Sequence, residues 1–484
     1  MLQKTSHYMR QANLIGGEWV QADSGATIDV TNPATTLKIG TVPKSGKAET
    51  RRAIEAAQSA FESWKKTTAN ERSKLLRKLH DLILENQDAL AELLTLEQGK
   101  SLAEAKGEVG ISAAYVLWFA EEGRRTYGDT VPSPWADRRI MVTKEPVGVI
   151  AAITPWNFPS SMLARKIGPA LAAGCTVVVK PASQTPYSGL AWGALCEEAG
   201  FPKGVVNIVT GSASEIGDEI CANPLVRKLT FTGSTGVGKV LMEKCASTVK
   251  KVSMELGGNA PFLVFDDADL DKAIEGAMVA KYRNSGQTCV CTNRFFVQDG
   301  IYDAFVERLA AESNKLKVGN GLEAGTQQGP LIDVKAVEKV EEFITDAKAK
   351  GGKIVTGGKR HDLGGSFFEP TVIAEAKPDM MFMKEEIFGP LAPVFRFKTE
   401  EEAIKLANDT EFGLAAYAYT GSLNRAFRVM EGLKYGMVGI NEGLITTVEA
   451  PFGGVKESGL GREGGHQGIE DYLDTKYVCI GGLR

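Results

Sequence analysis

A cysteine, a glutamate and an asparagine lie in three separate segments, and their residue types suit acyl transfer. Cys289 stands in RNSGQTCVC, where a helical pattern gives way to a strand pattern, so its thiol can face a cleft. Glu255 ends an apolar strand in MELGG, and Asn157 lies in TPWNFP. A thiol, a carboxylate and an amide donor can act as nucleophile, base and oxyanion stabiliser. Glu255 can also activate the water that hydrolyses a thioester.

Each of these residues also has an ordinary structural interpretation. Free cysteines are commonly small buried hydrophobic residues, a glutamate at a strand end can be solvated, and asparagine is frequent in turns. The occurrence of all three in one chain favours the catalytic interpretation. The four histidines, at positions 7, 80, 361 and 466, are isolated and form no HExxH motif. This isolation argues against metal catalysis and against a cysteine–histidine hydrolase.

A glycine-rich segment, GSTGVGKV at 233–240, nearly fits the phosphate-binding loop of nucleotide hydrolases. Val240 lacks the hydroxyl that would hold Mg²⁺ in such a loop. The alternative is a turn and a helix N-terminus whose backbone N–H groups approach the pyrophosphate of a dinucleotide. Lys239 can also be an ordinary solvated residue.

The first part of the chain predicts an α/β unit that positions these residues. Of the 484 residues, 43% are hydrophobic and 24% charged, which is typical of a globular chain with two or three domains. Residues 47–127 have helical periodicity, whereas residues 149–255 alternate strands and helices. This alternation predicts a parallel sheet covered on both faces. Ligands bind beyond the carboxyl ends of such strands, where PWN, KPAS and FTGS lie.

The rest of the chain predicts a second α/β unit and a small β arm. Strand patterns occur at 262–265, 294–298, 393–397 and 438–441, with helical patterns between them. The segment 130–148 and the tail at 475–483 have the pattern of additional strands. Because an apolar terminal strand leaves an exposed edge, subunit pairing is the expected use of this arm.

Charge and cysteine usage exclude several classes of protein. The net charge is -4, and no basic stripe suggests nucleic acid or an anionic membrane. The N-terminus lacks the apolar run of a secretory signal, and the apolar stretches are too short to span a bilayer. Seven cysteines without a CxxC pair indicate a reducing compartment rather than disulfides or zinc. We therefore expect a soluble, cytoplasmic protein without a metal, nucleic-acid or membrane partner.

The motifs TPWNFP, KPAS, FTGS, ELGGNAP, GQTCVC, EEIFGP and PFGGVKESGLGREG occur in an order and spacing that resemble the aldehyde dehydrogenase superfamily. The resemblance covers nearly the whole chain. Within the superfamily, GQTCVC and the loop NEGLITTVEAPFGG at 441–454 are most similar to the NADP-dependent succinate-semialdehyde dehydrogenases. The resemblance implies an α/β fold with a Rossmann-like cofactor domain (1–129 and 149–257), a second α/β catalytic domain (258–455) and a small β oligomerisation arm (130–148 and 456–484). The expected assembly is a homo-oligomer, a dimer of dimers.

The resemblance also implies the roles of individual residues. Cys289 would be the nucleophile, Glu255 the base, and Asn157 with the backbone N–H of Cys289 the oxyanion hole. The family's cofactor-contact positions fall on Trp156, Asn157, Lys180, Ser183, Gly233, Ser234, Leu256, Glu386 and Phe388.

Ser183 predicts NADP⁺ as the cofactor. NAD-using relatives often carry a glutamate there, and a carboxylate would repel the 2′-phosphate of NADP⁺. Serine removes this repulsion and can donate a hydrogen bond, while Lys180 supplies positive charge. A small residue also admits NAD⁺, so use of both cofactors is the alternative.

Two arginines predict a substrate with a distal carboxylate. Arg165 and Arg283 match the carboxylate-binding arginines of the succinate-semialdehyde enzymes, and guanidinium groups suit that role. Thr446 stands where a serine is usual in the substrate loop. A surface ion pair is the alternative for the arginines. The expected substrate is succinate semialdehyde, with glutarate semialdehyde or a broader range of short aldehydes as the alternative.

Cys289 and Cys291 are also a candidate redox pair, as in some relatives with the same GQTCVC segment. Extended residues two apart have Cα atoms about 6.6–7.2 Å apart, at or beyond the limit for an unstrained disulfide. The loop must therefore bend for the bond to form, and the strained bond would be easily reduced. Burial of Cys291 as a small hydrophobic residue is the alternative.

Overall fold

The structure is a computed structural model that describes residues 3–483. The helices are α1 (Gln3–Tyr8), α2 (Lys47–Trp64), α3 (Ala69–Glu85), α4 (Gln87–Gln98), α5 (Leu102–Glu122), α6 (Ser161–Ala173), α7 (Pro186–Ala199), α8 (Ala213–Ala222), α9 (Thr235–Ala246), α10 (Leu270–Tyr282), α11 (Tyr302–Ser313), α12 (Val334–Ala349), α13 (Glu400–Asn408) and α14 (Leu423–Gly432).

The strands are β1 (Asn13–Ile15), β2 (Glu18–Val20), β3 (Thr27–Thr31), β4 (Lys38–Pro43), β5 (Asp129–Val131), β6 (Arg139–Pro146), β7 (Val149–Ile153), β8 (Thr176–Lys180), β9 (Val206–Ile208), β10 (Val226–Thr232), β11 (Lys251–Glu255), β12 (Ala260–Val264), β13 (Thr292–Gln298), β14 (Lys353–Thr356), β15 (Thr371–Ala376), β16 (Leu391–Phe397), β17 (Ala415–Tyr419), β18 (Met437–Ile440), β19 (Gly459–Leu460) and β20 (Leu473–Ile480). They form sheets of eight, seven, three and two strands.

The eight-stranded sheet has the order β19-β11-β10-β7-β8-β9-β1-β2, and its five central strands are parallel. Alternate residues of β7 enter different cores. Val149 and Ala151 pack with α2, α8 and α9, whereas Ile150 and Ala152 pack with α5, α6 and α7. Both faces of the sheet are therefore covered, which explains why its strands are continuous apolar runs. The sheet confirms the predicted parallel arrangement.

The seven-stranded sheet has the order β14-β15-β16-β13-β12-β17-β18 and is parallel except for β14. Its two faces also carry separate hydrophobic cores. Strands β15 and β17, which sequence patterning did not identify, lie inside this sheet. Along β17 every residue is buried, although three of the five are alanines with low strand propensity.

The strands predicted within 130–148 and in the tail form the three-stranded antiparallel sheet β20-β6-β5, which does not include every residue from 456 onward. Gly459 and Leu460 instead pair with β11 at the edge of the eight-stranded sheet. The two strands can approach this closely because residue 459 is a glycine. Gly459 has a φ of +132°, and a Cβ there would lie 1.8 Å from the carbonyl oxygen of Met254. Only glycine permits this approach. No helix within residues 3–483 is long and apolar enough to cross a membrane.

The close approach of β19 to β11 predicts that Gly459→Ala destabilises the protein. The added methyl group must displace β19 from β11 beside Glu255, at a cost of about 2–4 kcal/mol. Gly107→Ala is the matched control, since a Cβ there meets nothing within 4 Å inside α5. It should stabilise the helix by about 1 kcal/mol. Thermal unfolding of the two variants should therefore shift in opposite directions, and equal midpoints would contradict this account of β19.

Candidate active site

Two cavities meet at Cys289. The first, which we call the arginine cavity, has a volume of about 300 Å³ and is lined by Glu104, Gly107, Glu108, Ile111, Phe158, Ser161, Met162, Arg165, Arg283, Asn284, Thr288, Cys289, Val290, Leu444, Thr446 and Phe452. The second, the strand-end cavity, has a volume of about 400 Å³ and is lined by Pro155, Trp156, Asn157, Met162, Gln184, Thr232, Gly233, Ser234, Leu256, Gly257, Cys289, Ile332, Asp333, Lys335, Ala336, Lys339, Glu386, Ile387 and Phe388. Cys289 and Met162 line both.

The loop before Cys289 has an uncommon backbone. Asn284 and Ser285 follow α10 with φ angles of 50° and 58°, in the left-handed region. Asn284 N donates to the Glu104 carboxylate at 2.7 Å, and the Ser285 hydroxyl donates to the carbonyl of Gly329 at 2.9 Å. These contacts hold a conformation that non-glycine residues rarely adopt. The loop therefore presents Cys289 at a defined position between the cavities.

Asn157 and Cys289 both line the strand-end cavity. The Asn157 side-chain amide donates one hydrogen bond to the carbonyl of Gln287 at 3.0 Å, which leaves its second N–H free. Within the described residues, the backbone N–H of Cys289 also has no hydrogen-bond partner. Two unoccupied donors beside a thiol are the elements of an oxyanion hole.

A buried ion pair holds Asn157 in place. The ammonium of Lys100 lies 2.6 Å from the Glu108 carboxylate and donates to the main-chain carbonyl of Asn157 at 2.7 Å. The second oxygen of Glu108 accepts from the backbone N–H of Ser160 at 2.9 Å and of Ser161 at 3.2 Å. The loop that carries Asn157 is thus fixed by charged groups that no sequence motif had identified.

The surroundings of Cys289 favour its neutral thiol. Burial raises its pKa to about 12, although the guanidinium of Arg165 acts in the opposite direction. The nucleophile must therefore lose its proton during the reaction or after a ligand changes its surroundings.

Glu255 is buried at the end of β11 and lines neither cavity. Burial, and then the neighbouring Glu463 carboxylate, raise its pKa well above the usual range, while Lys166 and Arg165 lower it. Its Oε2 has no hydrogen-bond partner. The structure therefore places this carboxyl behind the cavity walls, where its burial favours the protonated form.

Arg165, Arg283 and Thr446 all line the arginine cavity together with Cys289. The Arg165 guanidinium lies between the rings of Tyr115 and Phe452, at 5.1 and 4.3 Å from their centroids. Its Nε and Nη1 are buried without a hydrogen-bond partner. Arg283 forms no hydrogen bond or ion pair within residues 3–483 and approaches the ring of Phe158 at 5.4 Å. Arg165 lies 3.9 Å from the buried carboxylate of Glu463, so neither arginine is in the surface ion pair considered as an alternative.

Seven of the nine predicted cofactor positions line the strand-end cavity: Trp156, Asn157, Gly233, Ser234, Leu256, Glu386 and Phe388. Helix α9 begins there, and the Ser234 side chain does not cap its first N–H groups. These groups can bind a phosphate, so the cavity fits a dinucleotide. Lys239 instead pairs with Glu457 at 2.8 Å on the surface, as expected for a solvated lysine.

Lys180 is the last residue of β8 and Ser183 follows that strand, and neither lines the strand-end cavity. Burial lowers the pKa of Lys180 to about 8. Burial also raises the pKa of Glu386 to about 7, although the backbone N–H of Gly258 donates to it at 3.1 Å. Sequence reasoning missed Lys335 and Lys339 of α12, which line this cavity and whose helical pattern gives no sign of it.

Cys291 lines neither cavity. Its sulfur lies 3.3 Å from the buried ammonium of Lys281, and it donates to the carbonyls of Lys281 and Thr292 at 3.4 Å. This position agrees with the alternative of a buried small residue. The disulfide between Cys289 and Cys291 stays a prediction, and it would require Cys291 to leave these partners.

Comparison with known proteins identifies related sequences over the full length. Residues 19–478 match the profile of the "Aldehyde dehydrogenase family". The chain is 63% identical over 480 residues to the glutarate-semialdehyde dehydrogenase of Pseudomonas aeruginosa, covering 99% of each chain. It is 60% identical over 476 residues to the succinate-semialdehyde dehydrogenase [NADP(+)] of Escherichia coli, covering 98% of this chain and 99% of the relative.

A solved structure agrees with these sequence relationships. The succinate-semialdehyde dehydrogenase from Burkholderia pseudomallei superposes with a TM-score of 0.97 at 62% identity and covers 98% of both chains. The arrangement of sheets described above is therefore shared with an experimentally determined relative.

The raised pKa of Cys289 predicts that its alkylation accelerates with pH. Because the thiolate is the reactive form, the rate with iodoacetamide should rise about tenfold per pH unit between pH 7 and 9. Labelling should be followed at Cys289 by peptide mass spectrometry in a Cys479→Ser background, which removes the exposed thiol. Cys289→Ala is the control for site assignment. A rate that reaches a plateau below pH 8 would contradict the burial of this thiol as its dominant influence.

Proposed function

Because the chain belongs to the aldehyde dehydrogenase family, we propose that it oxidises succinate semialdehyde to succinate with NADP⁺. The observation that carries this proposal is the pair of arginines, Arg165 and Arg283, in a cavity that ends at Cys289. Arg165 has an ion pair with Glu463 at 3.9 Å, but its buried Nε and Nη1 donate no hydrogen bond, and a ligand can complete them. A carboxylate at the far end of a short aldehyde would do so while its carbonyl reaches the thiol.

In the proposed reaction, the Cys289 thiolate adds to the aldehyde carbon and forms a thiohemiacetal. The Asn157 amide and the Cys289 N–H stabilise the resulting oxyanion. A nicotinamide cofactor, when bound, supplies the hydride acceptor that converts this adduct to a thioester. Glu255, after its carboxyl has released its proton and its side chain has turned toward the thiol, takes a proton from the water that hydrolyses the thioester. The carboxylate product leaves and the thiol is regenerated.

The strand-end cavity supports the binding of the cofactor. Its size, the free N–H groups of α9 and the aromatic side chains of Trp156 and Phe388, which contact each other edge to face at 5.6 Å, suit a nucleotide with a pyrophosphate and a flat ring. We assign the unit built on the eight-stranded sheet to cofactor binding and the unit on the seven-stranded sheet to catalysis. NAD⁺ remains the alternative cofactor.

Glutarate semialdehyde is the second candidate substrate, since the Pseudomonas aeruginosa relative carries that name. The arginine cavity leaves room for one more methylene group. A Cβ at Gly107, on its wall, would meet nothing within 4 Å. Comparing kcat/KM for the four- and five-carbon semialdehydes separates the two candidates.

We also propose that the arm mediates self-association into a homo-oligomer. Several of its apolar side chains are exposed in the single chain, including Val131, Met141, Tyr477 and Ile480. An exposed strand with apolar residues is poorly suited to solvent and well suited to pairing with another copy.

Removal of the Arg283 guanidinium should affect charged and neutral aldehydes differently. Arg283→Met should lower kcat/KM for succinate semialdehyde by about 10- to 100-fold, because a charge-assisted hydrogen bond contributes about 1.5–3 kcal/mol. Butanal has the same chain length without the carboxylate, so its kcat/KM should change less than about threefold. Cys289→Ala should be inactive with both aldehydes and serves as the blank. Equal losses for the two aldehydes would exclude Arg283 from carboxylate binding.

A carboxylate at position 183 should shift the choice of cofactor from NADP⁺ to NAD⁺. Ser183→Glu should reduce kcat/KM for NADP⁺ by at least about 100-fold, since like charges ~4 Å apart repel by roughly 4 kcal/mol at an effective dielectric of 20. The value for NAD⁺ should change little. Ser214→Glu, at an exposed position of α8, is the matched control for added charge. If Ser183→Glu leaves the ratio between the cofactors unchanged, the 2′-phosphate does not bind at Ser183.

A further inference from the structure

Two buried cysteines face each other in the unit that carries the strand-end cavity. Cys221 lies in the last turn of α8 and Cys245 in the last turn of α9, and their sulfur atoms are 3.7 Å apart. Each is 1% exposed, and both belong to the hydrophobic core on one face of the eight-stranded sheet. Neither residue belongs to the motifs of the active site.

We propose that Cys221 and Cys245 form a redox site of their own, which a small hydroperoxide converts to a disulfide that joins α8 to α9 and changes cofactor binding. A disulfide bond is about 2.05 Å long, so the sulfurs need to approach by roughly 2 Å or less. Rotation of two side chains at helix ends can supply such a movement without unfolding either helix. Burial selects for a small oxidant such as hydrogen peroxide over a bulky disulfide.

The surroundings of the two sulfurs favour this chemistry. Cys245 donates its S–H to the sulfur of Cys221, which lowers the pKa of Cys221, and Lys250 and Lys244 lower it further. The same contact raises the pKa of Cys245. One sulfur is therefore suited to attack an oxidant and the other to resolve the product, a division of roles common to redox pairs.

The step balances with one molecule of hydrogen peroxide. The Cys221 thiolate attacks one peroxide oxygen, the O–O bond breaks, and the departing hydroxide takes a proton to form water. The Cys245 sulfur then attacks the sulfur of the Cys221 sulfenic acid, the S–O bond breaks, and a second water leaves. Two thiols and one peroxide thus yield one disulfide and two waters, with both sulfurs oxidised and both peroxide oxygens reduced.

Helix α9 connects this pair to the strand-end cavity. Its first residue follows Ser234, which lines that cavity, and the backbone of Gly238 lies against Leu256 on the cavity wall. A Cβ at Gly238 would be 2.4 Å from Leu256 Cδ2, so a small displacement of α9 must move Leu256 as well. In the reduced protein, α8 and α9 are joined on the surface by the ion pair of Lys244 and Asp218. A covalent bond would replace this adjustable contact with a fixed one.

The test uses the full chain and detects the disulfide as a pair of linked peptides. The reduced protein is exposed to mild hydrogen peroxide, unfolded in an alkylating reagent and digested with trypsin. We expect the peptide 204–227 linked to the peptide 245–250, and its loss after dithiothreitol. Cys196 is the internal control, because it is equally buried but contacts no other cysteine in the described chain. Alkylation of Cys221 and Cys245 to the same extent as Cys196 would overturn the proposal.

Two variants distinguish a disulfide between Cys221 and Cys245 from separate oxidation of the two thiols. In Cys245→Ala, prolonged exposure to peroxide should carry Cys221 past the sulfenic acid to the sulfinic acid, which dithiothreitol does not reduce, because the resolving thiol is gone. Cys196→Ala should leave the linked peptide unchanged. If Cys221 in Cys245→Ala is oxidised and recovered as in the parent, the two sulfurs do not act as a pair.

The effect on the fold and on the cofactor is measured in a background of Cys289→Ala and Cys291→Ala, which removes oxidation at the active site. Closing a loop across α8 and α9 should raise the thermal midpoint by about 5 °C. The Kd for NADP⁺, followed by fluorescence of Trp156, should change at least about threefold between the reduced and oxidised forms. An unchanged Kd beside a formed disulfide would overturn the link to the cavity, and an unchanged midpoint would overturn the crosslink.

Discussion

The main-chain carbonyl of Asn157 accepts two hydrogen bonds, and the rest of the site is arranged around them. Lys100 donates from the turn before α5, and the Asn284 amide donates at 2.9 Å from the loop that carries Cys289. Because the Asn157 side chain is the predicted oxyanion donor, the relative position of donor and nucleophile depends on these two bonds. Glu108 offsets the cost of burying the ammonium and simultaneously holds the next turn of chain. Helix α5 thus helps to position Asn157 through Glu108, although it carries none of the proposed catalytic residues.

The charges around Cys289 are asymmetric in the resting protein. Burial favours the neutral form of both the Cys289 thiol and the Glu255 carboxyl. Arg165 remains a cation, since Tyr115 and Glu463 raise its pKa against the effect of burial. A site with fixed positive charge and neutral acids stabilises anions that arrive or develop later. The positive charge of Arg165 can therefore stabilise both a carboxylate ligand and the thiolate of Cys289.

Sequence reasoning predicted the parts of the fold whose composition reports their environment. Strands rich in valine and isoleucine, such as β8, were assigned at their observed positions. β17 was missed because a buried strand of alanine and tyrosine has no distinctive pattern, and the two residues of β19 depend on a steric fit that no periodicity encodes. Motifs identified several residues of the two cavities, such as Cys289 and Trp156, but not Lys335 and Lys339 of α12. The buried partners of Glu255, in contrast, come from α6 and the C-terminal loop, and only the folded chain brings them together.

The shared position of Cys289 has a consequence for the walls of the two cavities. Cys289 and Met162 are the two lining residues that the cavities share. Substitution of any other lining residue therefore changes the wall of one cavity and leaves the wall of the other intact. A single elongated inhibitor would span both cavities only by passing beside the nucleophile, where Met162 is the one further side chain common to both walls.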